Sequence, residues 1–177
     1  MSRHLLTQRI ADVLDLEPGA HAIEYGGQWI SWAQVAASAQ RIAAITGGAE
    51  VGMLLRNRPG HVAAFLGVLL GGGTVVVINP SRGDERVKAD IEALGRPIVG
   101  ERDDLTALVA AGTPTVAISG LLDDADVSAP PAGGAASPSG VAVRMLTSGT
   151  TGPPKRIDLG YDMLARSVMG PDPDHAA

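Results

Sequence analysis

The chain has 177 residues and no cysteine. Disulfides, thiolate zinc sites and cysteine nucleophiles are therefore excluded, and the absence fits a reducing, cytoplasmic compartment. Aromatic residues are nearly as scarce, at 3%. A core must be assembled from Ala, Val, Leu and Ile. Basic residues are outnumbered, giving a formal charge of −5, so no basic face is expected for nucleic-acid phosphates. No apolar run is long enough to span a bilayer. Val62 to Ile78 carries no charge, but Gly71-Gly72-Gly73 interrupts it and it is slightly short. Arg3 and Arg9 bracket a short apolar stretch that acidic Asp12, Asp15 and Glu17 follow, which is not a signal peptide. His4, His21, His61 and His175 show no metal-ligand spacing, so surface or capping roles and no metal site are expected.

What is present reads as globular: 45% hydrophobic and 19% charged, with length for one sizeable core. Leu6, Ile10, Val13 and Leu14 give residues 3–16 a helical face, and Pro18-Gly19 ends it. Residues 22–25 and 28–31 flank Gly26-Gly27 as a hairpin. Ser31 can cap a helix from Trp32 to about Ile45. Val51–Leu55 predicts a buried strand, Asn57 a helix cap, and Thr74–Ile78 a second strand beyond the triple glycine. A charged helix from Ser81 to Leu94, a strand at 97–99, a helix at 103–110 and a strand at 115–119 continue the alternation. The expected class is three-layer α/β, a mainly parallel sheet flanked by helices.

Domain organisation follows composition. Residues 1–120 form an α/β subdomain. Residues 121–140, acidic and then rich in Pro, Gly and Ala, predict a linker or surface loop. Residues 141–168 form a hairpin, added antiparallel to the sheet, and a helix. Residues 169–177 should fray. Asp103-Asp104 and Asp123-Asp124-Asp126 read as solvated charges, and Arg56-Asn57-Arg58 as a charged strand end with a helix cap.

The densest chemistry is Leu146-Thr147-Ser148-Gly149-Thr150-Thr151-Gly152-Pro153-Pro154-Lys155. Glycine permits close backbone approach, free N–H groups in such a turn make an anion-binding concavity, hydroxyls add rotatable donors, and lysine adds a point charge. The spacing is not the helix-opening P-loop, because Pro154 and Arg156 stand where that motif needs Gly and Ser or Thr. Apolar stretches on both sides make it a strand–loop–strand phosphate cradle.

This stretch resembles the signature loop of the adenylate-forming (AMP-binding) superfamily. That superfamily holds acyl-CoA synthetases, aryl-acid ligases, luciferases and the adenylation domains of peptide synthetases. Trp29–Ile45 resembles its early strand and helix. Val51–Pro80, with Leu55, Asn57, Gly67, Gly71 and Asn79-Pro80, resembles its strand–helix–strand segment; the likeness covers most of residues 20–168. The resemblance implies an ATP-dependent ligase making an acyl-adenylate and then a thioester. An acyl-CoA synthetase acting on a fatty acid is the first expectation. An adenylation domain of a peptide synthetase or an aryl-acid ligase is the alternative, and a non-catalytic binding module is the rival from another class. It implies that Thr147, Ser148, Gly149, Thr150, Thr151 and Gly152 hold the ATP phosphates, that Lys155 neutralises them, and that Mg²⁺ and coenzyme A complete the parent reaction. Arg156 stands where the family usually has glycine, and Gly160-Tyr161 where it usually has Thr-His. Nothing matches the family's later motifs. The chain therefore resembles an N-terminal piece of a longer enzyme, with no catalytic residue of its own, inactive alone, and with uncovered apolar surface that favours oligomers or poor solubility.

Overall fold

The computed structural model describes residues 3–120, 122, 126–127, 140–147 and 155–170. Leu5–Leu16 forms α1, capped by His4, whose ring accepts from the Leu6 N–H. His21–Tyr25 (β1) and Gln28–Ser31 (β2) make the expected hairpin over Gly26-Gly27, both with positive φ. Ser31 caps α2, Trp32–Thr46, in a full capping box with Gln34. There follow β3 (Glu50–Leu54), α3 (Pro59–Leu70) and β4 (Thr74–Ile78). Next come α4 (Asp84–Leu94), β5 (Ile98–Glu101), α5 (Arg102–Leu108) and β6 (Thr115–Ile118). A short β7 (Asp126–Val127), then β8 (Val141–Thr147), β9 (Lys155–Gly160) and α6 (Tyr161–Met169) complete the order.

The main sheet has seven strands in the order β7-β6-β5-β3-β4-β8-β9. β6, β5, β3, β4 and β8 run parallel, with β7 and β9 antiparallel at the two edges. Parallel strands are buried on both faces, and the core divides accordingly. On one face Val51, Met53, Val75, Val99 and Val116 pack with Ala64 and Val68 of α3 and Ala165 of α6. On the other, Leu54, Ile78 and Ile98 pack under Val87 and Ile91 of α4 and Leu105 of α5. A third cluster joins α1, α2, α3 and the small hairpin through Leu14, Ile30, Val35, Ala39 and Ala63. The class is three-layer α/β, as the alternation of elements predicts.

Five local expectations change. β8 joins the sheet as a parallel strand beside β4, so the antiparallel relation lies within the β8–β9 pair rather than between the hairpin and the sheet. The predicted linker contains β7, which extends the sheet edge beside β6; the rest of 121–139 lies outside the described residues apart from Leu122. Asn57 does not cap α3: Arg58 takes that position without a side-chain bond, and Pro59 opens the helix. Asn79 instead caps a short 3-10 turn, Pro80–Arg82, and α4 starts only at Asp84, because Gly83 at φ 96° breaks the helical path. His61 is neither on the surface nor a cap but fully buried. The tail 171–177, with His175, lies outside the described residues.

Candidate functional site

Two strands present the candidate phosphate loop. The β8–β9 register runs Arg144↔Asp158, Met145↔Ile157, Leu146↔Arg156 and Thr147↔Lys155. The first and last residues of the motif's polar core thus sit opposite one another as the final backbone pair. Seven residues, 148–154, close the hairpin beyond them. Ser148, Gly149, Thr150, Thr151 and Gly152 lie outside the described residues, as do the side chains of Thr147 and Lys155. The structure therefore brings together the backbone at the two ends of the loop. Two paired strands, rather than a strand and a helix, flank the motif.

Sheet topology places this loop at the carboxyl end of the parallel strands. Bound ligands of open α/β sheets collect outside that end. The segments leaving β3, β4, β5 and β6 lie there too, bringing Arg56, Arg58, Asn79, Glu101 and Ser119 to the same edge as the loop. A cleft of about 840 Å³, lined by residues that include His4, Thr7, Gly71, Gly72, Gly140 and Tyr161, opens at the opposite end. It lies against α1 and away from the motif, so it is no part of this site.

The hairpin is anchored at its base. The Tyr161 N–H donates to the Gly140 carbonyl at 2.9 Å. The Thr74 hydroxyl donates to the Val141 carbonyl at 2.6 Å. The Tyr161 hydroxyl donates to the Gly73 carbonyl at 2.6 Å and approaches that of Leu69 at 3.3 Å. Burial holds this phenol protonated far above its ordinary range. Further along, Arg144 grips Asp158 with two bonds, 2.8 and 3.1 Å, and Glu50 with a third of 2.7 Å. Its pKa is raised chiefly by the bonds to Asp158, whose own carboxyl is held below the usual carboxylate range by Arg144.

A second polar cluster lies where β3 and β5 end. Arg56 makes a bidentate pair with Asp104, 2.6 and 2.7 Å, which lowers the Asp104 pKa. Arg58 bonds Glu101 at 2.7 Å. Glu101 also faces the buried His61 ring, its Oε1 lying 3.7 Å from Nδ1. Asp104 is therefore not the solvated helix-start charge that the sequence suggests, and both arginines are partnered. Among the described residues no group of three His, Asp or Glu side chains could hold a metal. The described carboxylates do not supply a Mg²⁺ cage.

Sequence reasoning missed these partners for a definable reason. Arg56–Asp104 and Arg58–Glu101 depend on β5 lying beside β3, which no local pattern reveals. Arg144–Asp158 was within reach: counting outward from the loop, opposite charges fall opposite each other.

The AMP-binding enzyme family matches residues 11–174. The chain belongs to that family. Similar curated proteins include the nonribosomal peptide synthetase ftmPS of Neosartorya fischeri, 32% identical over 167 residues, or 85% of this chain and 8% of that protein. Among solved structures, the nonribosomal peptide synthetase FmoA3 in its AMPPNP-bound form superposes with a TM-score of 0.74 at 23% identity, covering 94% of this chain and 18% of that one. ATP-bound MatB from Rhodopseudomonas palustris gives 0.67 at 24%, covering 96% and 37%. The structural matches establish the AMP-binding fold. The chain spans under a tenth of the curated relatives it matches.

Proposed function

We propose that this chain supplies the ATP-phosphate-binding hairpin of a carboxylate-activating, adenylate-forming enzyme. In this reading a substrate carboxylate oxygen bonds to the α-phosphorus of ATP, the bond to the β-phosphate bridge breaks, and pyrophosphate leaves. A thiol then attacks the acyl carbon and AMP departs. Thr147, Ser148, Thr150 and Thr151, with the backbone of Gly149 and Gly152, hold the β- and γ-phosphates, and Lys155 offsets their charge. The contribution is positioning and charge stabilisation, the larger part of catalysis in nucleotidyl transfer.

The observation that carries the reading is the Thr147↔Lys155 pair, which closes the signature loop at the carboxyl end of the parallel strands. The relatives bear on the finer question. Curated relatives named as nonribosomal peptide synthetases favour an adenylation domain passing its acyl group to a carrier-bound thiol over a fatty-acid ligase using coenzyme A. Pyrophosphate–ATP exchange by the complete polypeptide bearing this chain tests the proposal, using amino acids and fatty acids as rival substrates. Exchange with an amino acid is expected. Exchange with fatty acids alone restores the coenzyme A reading, and no exchange with any acid favours a non-catalytic module. Lys155→Ala should raise the KM for ATP about tenfold, the effect of losing one charge-assisted contact.

A further inference from the structure

The hairpin that carries the loop meets the rest of the sheet through one strand only, near its base. β8 pairs with β4 only through Val75↔Val143, Val76↔Arg144 and Val77↔Met145. Beyond Met145 its backbone partner is β9 alone, and β9 is an edge strand. A two-stranded ribbon twists readily and is marginally stable by itself. α6 follows β9 directly and packs on the face where Val143 joins Tyr161 and Ala165. On the opposite face, what crosses from the hairpin to the rest of the sheet is charge. Arg144 reaches over β4 to Glu50 at the start of β3 and holds Asp158 on β9. Glu50 also pairs with Arg96, before β5, at 3.6 Å.

We infer that Arg144 is a positioning residue for the phosphate loop: by joining Glu50 of β3 to Asp158 of β9 it fixes the direction in which the paired strand ends at Thr147 and Lys155 leave the sheet. The inference rests on the phosphate-loop reading above. The geometry suits this role better than a surface pair would. The Arg144 side chain is only 13% exposed and Glu50 19%. Three bonds radiate from one planar guanidinium in fixed directions, so the fork constrains orientation as well as distance. The pair sits three residues before Thr147 on one strand and three after Lys155 on the other. A change in splay there moves both ends of the loop together. Lysine, with a point charge on a flexible stem, can satisfy one carboxylate but cannot bracket two.

The test separates the tie to β3 from the pair within the hairpin. Glu50→Gln weakens the first. The double variant Arg144→Leu with Asp158→Leu abolishes it but keeps a cross-strand contact, so the hairpin itself survives. Amide hydrogen exchange on the whole chain reads residues 145–147 and 155–157. Pyrophosphate exchange by the complete polypeptide reads the KM for ATP against that for the acid. Both variants should speed exchange at those amides about tenfold, while amides of β3 and β5 stay unchanged. The KM for ATP should rise by a similar factor while the KM for the acid does not, and Arg144→Lys should recover only part of the loss. Unchanged exchange and unchanged KM for ATP in both variants would overturn the inference, as would an equal loosening of the entire sheet. If Lys155→Ala also leaves the KM for ATP unchanged, the phosphate-loop reading has failed instead, and the amide rates alone decide whether Arg144 holds the hairpin.

Discussion

His61 stands at the beginning of α3 with none of its surface exposed, and among the described residues neither ring nitrogen has a hydrogen-bond partner of ordinary geometry. Burial, aided by the charge of Arg58, lowers its pKa to about 4. In the unfolded chain an ordinary histidine takes a proton near pH ~6.5. Between those values the unfolded state binds more protons, so stability must fall as the pH drops from the upper value to the lower. The loss is on the order of 3 kcal/mol once the window is crossed. Denaturant midpoints should decline from neutral pH toward pH ~4.5 in the native chain and decline less in His61→Leu; equal slopes would disprove the assignment. Asp104, whose pKa is lowered by Arg56, adds a separate loss further down. Its contribution is fully present above the ordinary carboxylate pKa and is lost progressively as the pH falls from there through the lowered folded-state pKa. Tyr161 makes the other prediction at this scale. Tyr161→Phe leaves the Gly73 carbonyl without its 2.6 Å donor. It should cost about 1–2 kcal/mol, read as a lower Tm with the fold intact by circular dichroism. None of these roles was visible in the residue type alone. A lone histidine beside arginines reads as surface until the sheet order places Glu101 above it.

Elements were more legible than residues, because helices and strands answer to local pattern. The hairpin over Gly26-Gly27, the Ser31 capping box and the ending of α3 at the triple glycine follow from a few adjacent residues each. The start of α4 did not, since a capped 3-10 turn after Asn79 and a left-handed glycine intervene. How α3 approaches its neighbours was also invisible. A Cβ built on Gly67 would lie 2.5 Å from the Ala39 carbonyl oxygen and 2.8 Å from the Ile42 Cβ of α2. One on Gly60 would lie 1.8 Å from the Ser119 carbonyl oxygen. Both glycines are therefore close-approach residues rather than turn formers. Gly67→Ala should cost about 1–3 kcal/mol by forcing the helices apart. Gly60→Ala should cost more, because its clash is closer, 1.8 Å against 2.5 Å, and all the nearest atoms around it are backbone of residues 119 and 120, and the folded yield should show it. A Gly60→Ala protein with native Tm would contradict this packing.

At the scale of the whole molecule, some apolar surface is left uncovered. α1, α3 and α6 line an apolar groove of about 410 Å³ that includes Leu6, Ile10, Phe65 and Val168. Met163, Val168 and Met169 on α6 are exposed, as is Leu5. Such surface promotes association, so the isolated chain should shift to larger species in light scattering as its concentration rises. Met163→Lys with Val168→Lys should reverse the shift; persistence of the larger species would place the contact elsewhere. The amino-acid sequence by itself determined the three-layer class and most element positions and singled out the candidate phosphate loop, because periodicity, turn residues and a dense polar motif are local signals. It also indicated family membership. Only the tertiary structure decided that β8 runs parallel beside β4 and that Thr147 and Lys155 close the loop as a pair. It alone placed that loop on the same sheet edge as the Arg56–Asp104 and Arg58–Glu101 pairs. The physical reason is that strand order and register are set by packing between residues tens of positions apart, and so leave no trace in any short stretch of chain.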